Sequence, residues 1–256
     1  MRHNQPPTVT LENYEAVYDY YQTHQQPRMQ ALASYAYLAL KYNPVVNYMQ
    51  ETGDQIKRFC DRGDSFLISV NHPTNTSDQF ILAGAAFKSP LRRNIGHMRV
   101  LGKDDLFEDE ERRKKIDMMG SIPVFRPKDH GMKAVAAAGN RMIDVSAQRL
   151  KDGDSLAVFV QGEHESQHPN RIDAIHSGIG HIAHRALKLD TPLHLLSIGI
   201  AYDAPGDEPN LNNASVYINP PITTGRIPKS INQIKRIVHQ DLQLAVDAAR
   251  EHYETT

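Results

Sequence analysis

Short apolar runs rich in β-branched residues recur along this chain at intervals that leave room for one helix between them. That alternation constrains the fold more than any other feature. SFLISV (65–70) stops at the polar run NHPTNTSD, which leads into the helical stretch QFILAGAAF. SIPVF (121–125) precedes a helical pattern near 130–150, and SLAVFV (155–160) precedes a polar loop and a helical pattern near 176–188. Two further strand-like runs follow, LHLLSIGI (193–200) and SVYI (215–218). Strands that alternate with helices bury both faces of a sheet, so the pattern predicts an α/β fold with a largely parallel sheet flanked by helices.

Upstream of residue 64 the apolar spacing is helical instead, with Tyr14, Val17 and Tyr21 on one stripe and Leu32, Tyr35, Ala36 and Ala39 on another. Residues 1–63 therefore read as an N-terminal helical preface to an α/β domain over 64–256, the two forming one compact unit. The last helix opens with a capping box, Ser230 and Gln233, and carries Ile231, Ile234, Val238, Leu242 and Ala245 on one face. There is no internal repeat, low-complexity tract or obvious interdomain linker.

Charge excludes some classes of partner. Lys and Arg total 29 against 30 acidic residues, a formal net charge of -1, so nothing predicts broad attraction to nucleic acid. One cysteine, Cys60, leaves no internal disulfide and no four-thiolate zinc site, which fits a reducing, cytoplasmic setting. The start MRHNQPPTVT lacks the apolar core of a secretory signal, and no 18 uncharged apolar residues follow one another. The protein is therefore expected not to span a membrane. Residues 28–42, RMQALASYAYLALKY, mix Met, Leu, Ala and Tyr with basic ends and suit either a membrane interface or packing on the protein's own core.

Ligands of open α/β sheets gather at the carboxyl ends of the strands, where polar loops fall at 71–78, 126–131 and 161–177. His72 directly follows a buried strand, and Asp78 begins the next helix. A carboxylate on one ring nitrogen fixes the tautomer and leaves the other nitrogen free to take a hydroxyl proton, so the pair suits a general base. The plainer alternative has Asp78 or Ser77 capping the helix while His72 bonds the loop.

The blocks NHPTNTSD, GKDDLF, GSIPVFR, FVQGEHES and TPLHLLSIGIAYD, in this order over about 64–222, resemble successive motifs of the glycerolipid acyltransferase family that includes lysophosphatidic acid acyltransferases. Asn71, His72 and Asp78 match the catalytic first block, although the spacing here is His-x5-Asp where the family usually has His-x4-Asp. Lys103 matches a lysine between the first two blocks, and Arg126 ends the second, whose arginine contacts an acceptor phosphate in the family. A guanidinium there would offer a bidentate fork, an ammonium a less directional charge. The third block departs most. Against Phe-Pro-Glu-Gly-Thr-Arg-Ser the chain has Phe159, Val160, Gln161, Gly162, Glu163, His164 and Glu165, so Gln161 and His164 replace the glutamate and arginine. His176 stands where lysine is common, and Arg171 is the nearest other cation.

The resemblance implies direct transfer of a fatty acyl group from an acyl-coenzyme A or acyl-carrier-protein thioester to a lipid hydroxyl, with His72 and Asp78 catalytic and no further cofactor. Lys103, Arg126, Gln161, Gly162 and His164 are then the acceptor-binding candidates. Donor and acceptor would meet at a membrane surface on the cytoplasmic side, beside an apolar groove walled by the helical preface. The depleted third block leaves the acceptor open between a lysophospholipid and an amino-lipid, glycolipid or other non-phosphate alcohol. Two other classes stay in view: a catalytically silent lipid-binding relative, and a zinc hydrolase using HESQH (164–168), which matches His-Glu-x-x-His. The zinc motif needs both histidines on one helical face, and Pro169 directly after it disfavours helix there. His181 and His184 raise the metal question more weakly. No Walker or dinucleotide glycine loop and no Gly-x-Ser-x-Gly elbow occurs.

Overall fold

The computed structural model describes residues 6–73, 77–162, 171–202 and 211–255. In chain order the elements are α1 (Tyr14–Thr23), α2 (Arg28–Tyr42), β1 (Val45–Asn47), α3 (Gln50–Arg62), β2 (Ser65–Val70), α4 (Asp78–Lys88), β3 (Met98–Lys103), α5 (Glu110–Met118) and β4 (Ser121–Val124). A single turn, α6 (Pro127–His130), precedes α7 (Met132–Lys151), β5 (Ser155–Phe159), α8 (Gly178–Lys188), β6 (Leu193–Ala201), β7 (Ser215–Ile218), β8 (Ile222–Thr223) and α9 (Ile231–Glu254).

These strands form one sheet in the order β1-β7-β6-β2-β5-β3-β4, with β8 also pairing β6. β6, β2, β5, β3 and β4 run parallel, while β7 and β8 lie antiparallel to β6. The α/β class and the largely parallel sheet thus stand as the alternation predicts. β2 is the middle of the sheet, in register with β6 from Ser65↔Leu193 to Val70↔Ile198 and with β5 from Leu67↔Leu156 to Val70↔Phe159. All six of its residues are buried, which is why it reads as an unbroken apolar run.

Successive side chains of a strand point to opposite faces, and the two layers sort accordingly. Phe66, Ile68, Val70, Leu196, Ile198 and Ile200 pack beneath α2, α3 and α4. Leu67, Leu156, Leu193 and Leu195 pack against α1, α7, α8 and α9. Each fully buried Leu, Ile or Phe contributes about 1.5–3 kcal/mol, so this two-sided burial is the main force holding β2 in place. Gly199 admits α9 at close range: a Cβ there would stand 2.2 Å from the Ala245 carbonyl oxygen.

Several local readings change. Val45–Asn47 is a strand beside β7, so the first 63 residues are helical but also contribute to the sheet. β3 lay hidden from the periodicity because its Arg99 is 3% exposed and donates to Asp154 at 2.7 Å; a paired charge sits where a buried strand normally shows an apolar residue. The loop predicted at 126–131 is mostly the turn α6. α9 starts where Ser230 predicts, but the Ser230 side chain makes no capping hydrogen bond, so only the position of the capping box survives. α2 buries Ala31, Tyr35 and Ala39 against α4 and leaves Met29, Tyr37 and Leu40 at 76%, 60% and 82% exposure. The own-core reading thus holds for one face of the helix, and the opposite face is exposed.

Candidate active site at the carboxyl edge of the sheet

Parallel strands bring the ends of β6, β2, β5, β3 and β4 to one edge. The helix after β2 lies on one face, and the chain later crosses from β5 to β6, on the other side of β2, with α8 on the opposite face. Connections diverging in this way leave a crevice at the end of the strand between them. His72 and Asp78 sit there.

His72 Nδ1 lies 2.5 Å from Asp78 Oδ2. Asp78 is fully buried at the first turn of α4, whereas the His72 side chain retains 15% exposure. The capping alternative loses ground, because Ser77 at the N-cap makes no side-chain capping bond and the Asp78 carboxylate faces the imidazole. The other carboxylate oxygen, Oδ1, accepts the phenolic hydrogen of the buried Tyr202, which follows β6. With Tyr202 donating to Oδ1 and an ionised carboxylate able only to accept, the proton at the ring must reside on His72 Nδ1. That leaves Nε2 as the free basic nitrogen.

Asn71 is fully buried and faces β6 rather than the reaction space. Its Nδ2 donates to the Ile200 carbonyl at 2.9 Å, and its Oδ1 accepts from the Ile200 amide at 2.8 Å. It thereby ties the end of β2 to the strand that delivers Tyr202. Phe159, the last residue of β5, holds the other side of the imidazole, with ring centroids 4.5 Å apart. Gln161 accepts from the His72 backbone amide at 3.4 Å, so it adjoins the dyad. Gly162 turns the chain at φ +67°, and a Cβ there would stand 2.7 Å from His176 Nε2; both the backbone angle and the histidine ring call for glycine.

Lys103 and Arg126 stand at the ends of the neighbouring strands β3 and β4, where Lys103 is in register with Val124, and not beside β2. β3 lies two strands from β2, roughly 10 Å at ordinary strand spacing. The side chains of this second cluster are paired internally: Lys103 Nζ with Asp105 at 2.5 Å, Arg126 Nε with Asp129 at 2.8 Å, and His130 Nε2 with Asp104 at 2.7 Å. The Asp105 carboxylate holds the Lys103 ammonium above the usual lysine range. Arg171 is exposed and pairs with Asp173 at 3.1 Å.

His164, and with it the whole HESQH motif, lies outside the described residues. Among the described residues no group of three or more His, Cys, Asp or Glu side chains is arranged to hold a metal ion. His184 bonds the Lys229 carbonyl at 2.9 Å, tying α8 to the start of α9. Cys60 sits on α3; burial pushes its thiol up to about 12, so it stays protonated at neutral pH. A surface groove of about 780 Å³ runs past Asn43, Lys57, Lys88 and Arg92, at the far end of α4 from Asp78, and is basic rather than apolar.

Tyr202 is the site residue that sequence reasoning misses. Its signal was position alone: it follows a fully buried strand, as Asn71 follows another. No known family model matches the chain, and no curated protein matches it.

Proposed function

We propose that this protein is an O-acyltransferase that moves a fatty acyl group from an acyl thioester to the hydroxyl of a lysolipid, with His72 as general base. The observation that carries the reading is the chain Tyr202 to Asp78 to His72, which leaves Nε2 basic beside a strand end. The block order resembling glycerolipid acyltransferases supports the same chemistry and favours direct transfer.

In this mechanism the acceptor oxygen attacks the thioester carbonyl while its proton passes to His72 Nε2. The tetrahedral intermediate collapses by breaking the carbon–sulfur bond. The imidazolium returns its proton to the departing thiolate, giving ester and free thiol. Asp78 stabilises the imidazolium without taking the proton, and Tyr202 and Asn71 hold that geometry. The only thiol in the sequence, Cys60, is half-buried and protonated, which agrees with the absence of a thioester intermediate on cysteine.

No helix among the described residues is long and apolar enough to cross a membrane. A lipid substrate is reached instead through the exposed Met29, Tyr37 and Leu40 of α2, flanked by Arg28 and Lys41, a pattern that suits peripheral binding at the cytoplasmic face. Donors on coenzyme A and on acyl carrier protein both fit.

The deciding assay mixes purified protein with a long-chain acyl thioester and a panel of lysolipids and follows thiol release. Release that requires acceptor and is lost in His72→Ala, with circular dichroism unchanged, is the expected result. Release without acceptor would make the protein a thioesterase, and turnover retained in His72→Ala would remove the mechanism.

A further inference from the structure

Resting on the acyl-transfer reading, we infer that the acceptor headgroup is zwitterionic, carrying an ammonium as well as an anionic group, and that Asp105 and Asp129 select it. Two cations and two carboxylates lie at the ends of β3 and β4. Lys103 and Arg126, the two cations available to an anionic headgroup, each hold a carboxylate nearby in the chain, Asp105 at 2.5 Å and Asp129 at 2.8 Å. Lys103 is in register with Val124 across the β3–β4 pair, two residues before Arg126, so the four groups form one neighbourhood of two positive and two negative charges.

A phosphate monoester brings between one and two negative charges. Inserted here, it must displace Asp105 and Asp129 from their cations and then lie beside both carboxylates, an arrangement penalised by like-charge repulsion. A zwitterion avoids that. Its anionic group takes Arg126 or Lys103, and its ammonium takes the carboxylates those cations release, so partners are exchanged and the local charge stays balanced.

A second observation points the same way. Asp104 Oδ1 and Asp105 Oδ1 are both buried and accept no hydrogen bond. Buried acceptors are normally satisfied, and an ammonium, with three donors and no acceptor, has the chemistry to satisfy them. The sequence also lacks the arginine of the third block, where His164 stands instead, so no further fixed cation is supplied there for a dianion.

The test compares three lysolipids with the same acyl chain, bearing a phosphomonoester, a phosphoethanolamine or an uncharged glycerol headgroup, with palmitoyl-coenzyme A as donor. Wild type is expected to favour the phosphoethanolamine acceptor in kcat/KM by on the order of tenfold. Asp129→Asn and Asp105→Asn, at partly exposed positions, are expected to reverse the preference towards the phosphomonoester through KM, with kcat kept. If wild type turns over the phosphomonoester or the neutral acceptor best and His72→Ala abolishes it, the headgroup inference falls while acyl transfer stands. A preference that both variants leave unaltered overturns the role of the aspartates. Failure of every acceptor to stimulate thiol release overturns acyl transfer and the inference together.

Discussion

Tyr202 donates its phenolic hydrogen to the Asp78 oxygen that His72 does not use, although the two residues lie 124 positions apart. The bond has a kinetic signature. Removing it in Tyr202→Phe leaves Asp78 Oδ1 without its phenolic donor and loosens the carboxylate that orients His72. If His72 is the base, kcat should fall roughly tenfold while the fold is kept. Asp78→Asn should cost on the order of 10³-fold or more by disturbing the tautomer. A kcat for Tyr202→Phe within about twofold of wild type would show that the phenol is structural only.

Asn71 contributes to stability through a different pair of bonds. Truncation to Ala strips the Ile200 amide and carbonyl of their side-chain partners in a fully buried site. Unsatisfied buried groups cost about 1–3 kcal/mol each, so urea unfolding should show a loss of about 2–6 kcal/mol. A change below about 0.5 kcal/mol would mean that water reaches the end of β2.

Legibility in the sequence follows the distance over which each feature is built. His72 and Asp78 are readable because one strand-to-helix turn brings them together. The paired aspartates at 105 and 129 were equally local, in KDD and RPKD, yet a search for phosphate-binding cations passes over the carboxylates beside them. Tyr202 depends on β6 inserting next to β2, an adjacency that no local pattern encodes. β3 was invisible for a physical reason: its buried Arg99 is neutralised by Asp154, which also receives Arg149 Nε at 2.6 Å, and periodicity cannot see a partner 55 residues away.

Asp241 links stability to pH. Burial holds its carboxyl above the usual carboxylate range, outweighing hydrogen bonds involving Ser197 and Asn219 that pull it down. A raised folded-state value means that the folded protein holds this proton more tightly than the unfolded chain. Its penalty is therefore absent below the ordinary carboxylate value near about pH 4 and grows as pH rises through the folded value. Asp241→Asn removes the charge, so its melting temperature relative to wild type should be higher at about pH 8 than at about pH 4. An equal difference at both pH values would rule out this linkage.

The outer face of α2 offers a test that leaves the fold alone. Tyr37 and Leu40 are 60% and 82% exposed, so Tyr37→Glu with Leu40→Glu should leave thermal melting within about 1 °C while sharply reducing co-sedimentation with vesicles containing anionic lipid. Unchanged sedimentation would require another lipid-facing surface.

The clamp between Asn71 and Ile200 also bears on when the protein becomes competent during its synthesis. β2, α4 and both members of the dyad leave the ribosome more than 100 residues before the strand that braces them. Until β6 docks, β2 has no neighbour on that side, Asn71 has nothing to hold, and the Asp78 carboxylate lacks its phenol. On the proposed mechanism, readiness is therefore a late event in the life of the nascent chain, set by the arrival of residues 193–202 and not by completion of the segment that holds His72 and Asp78.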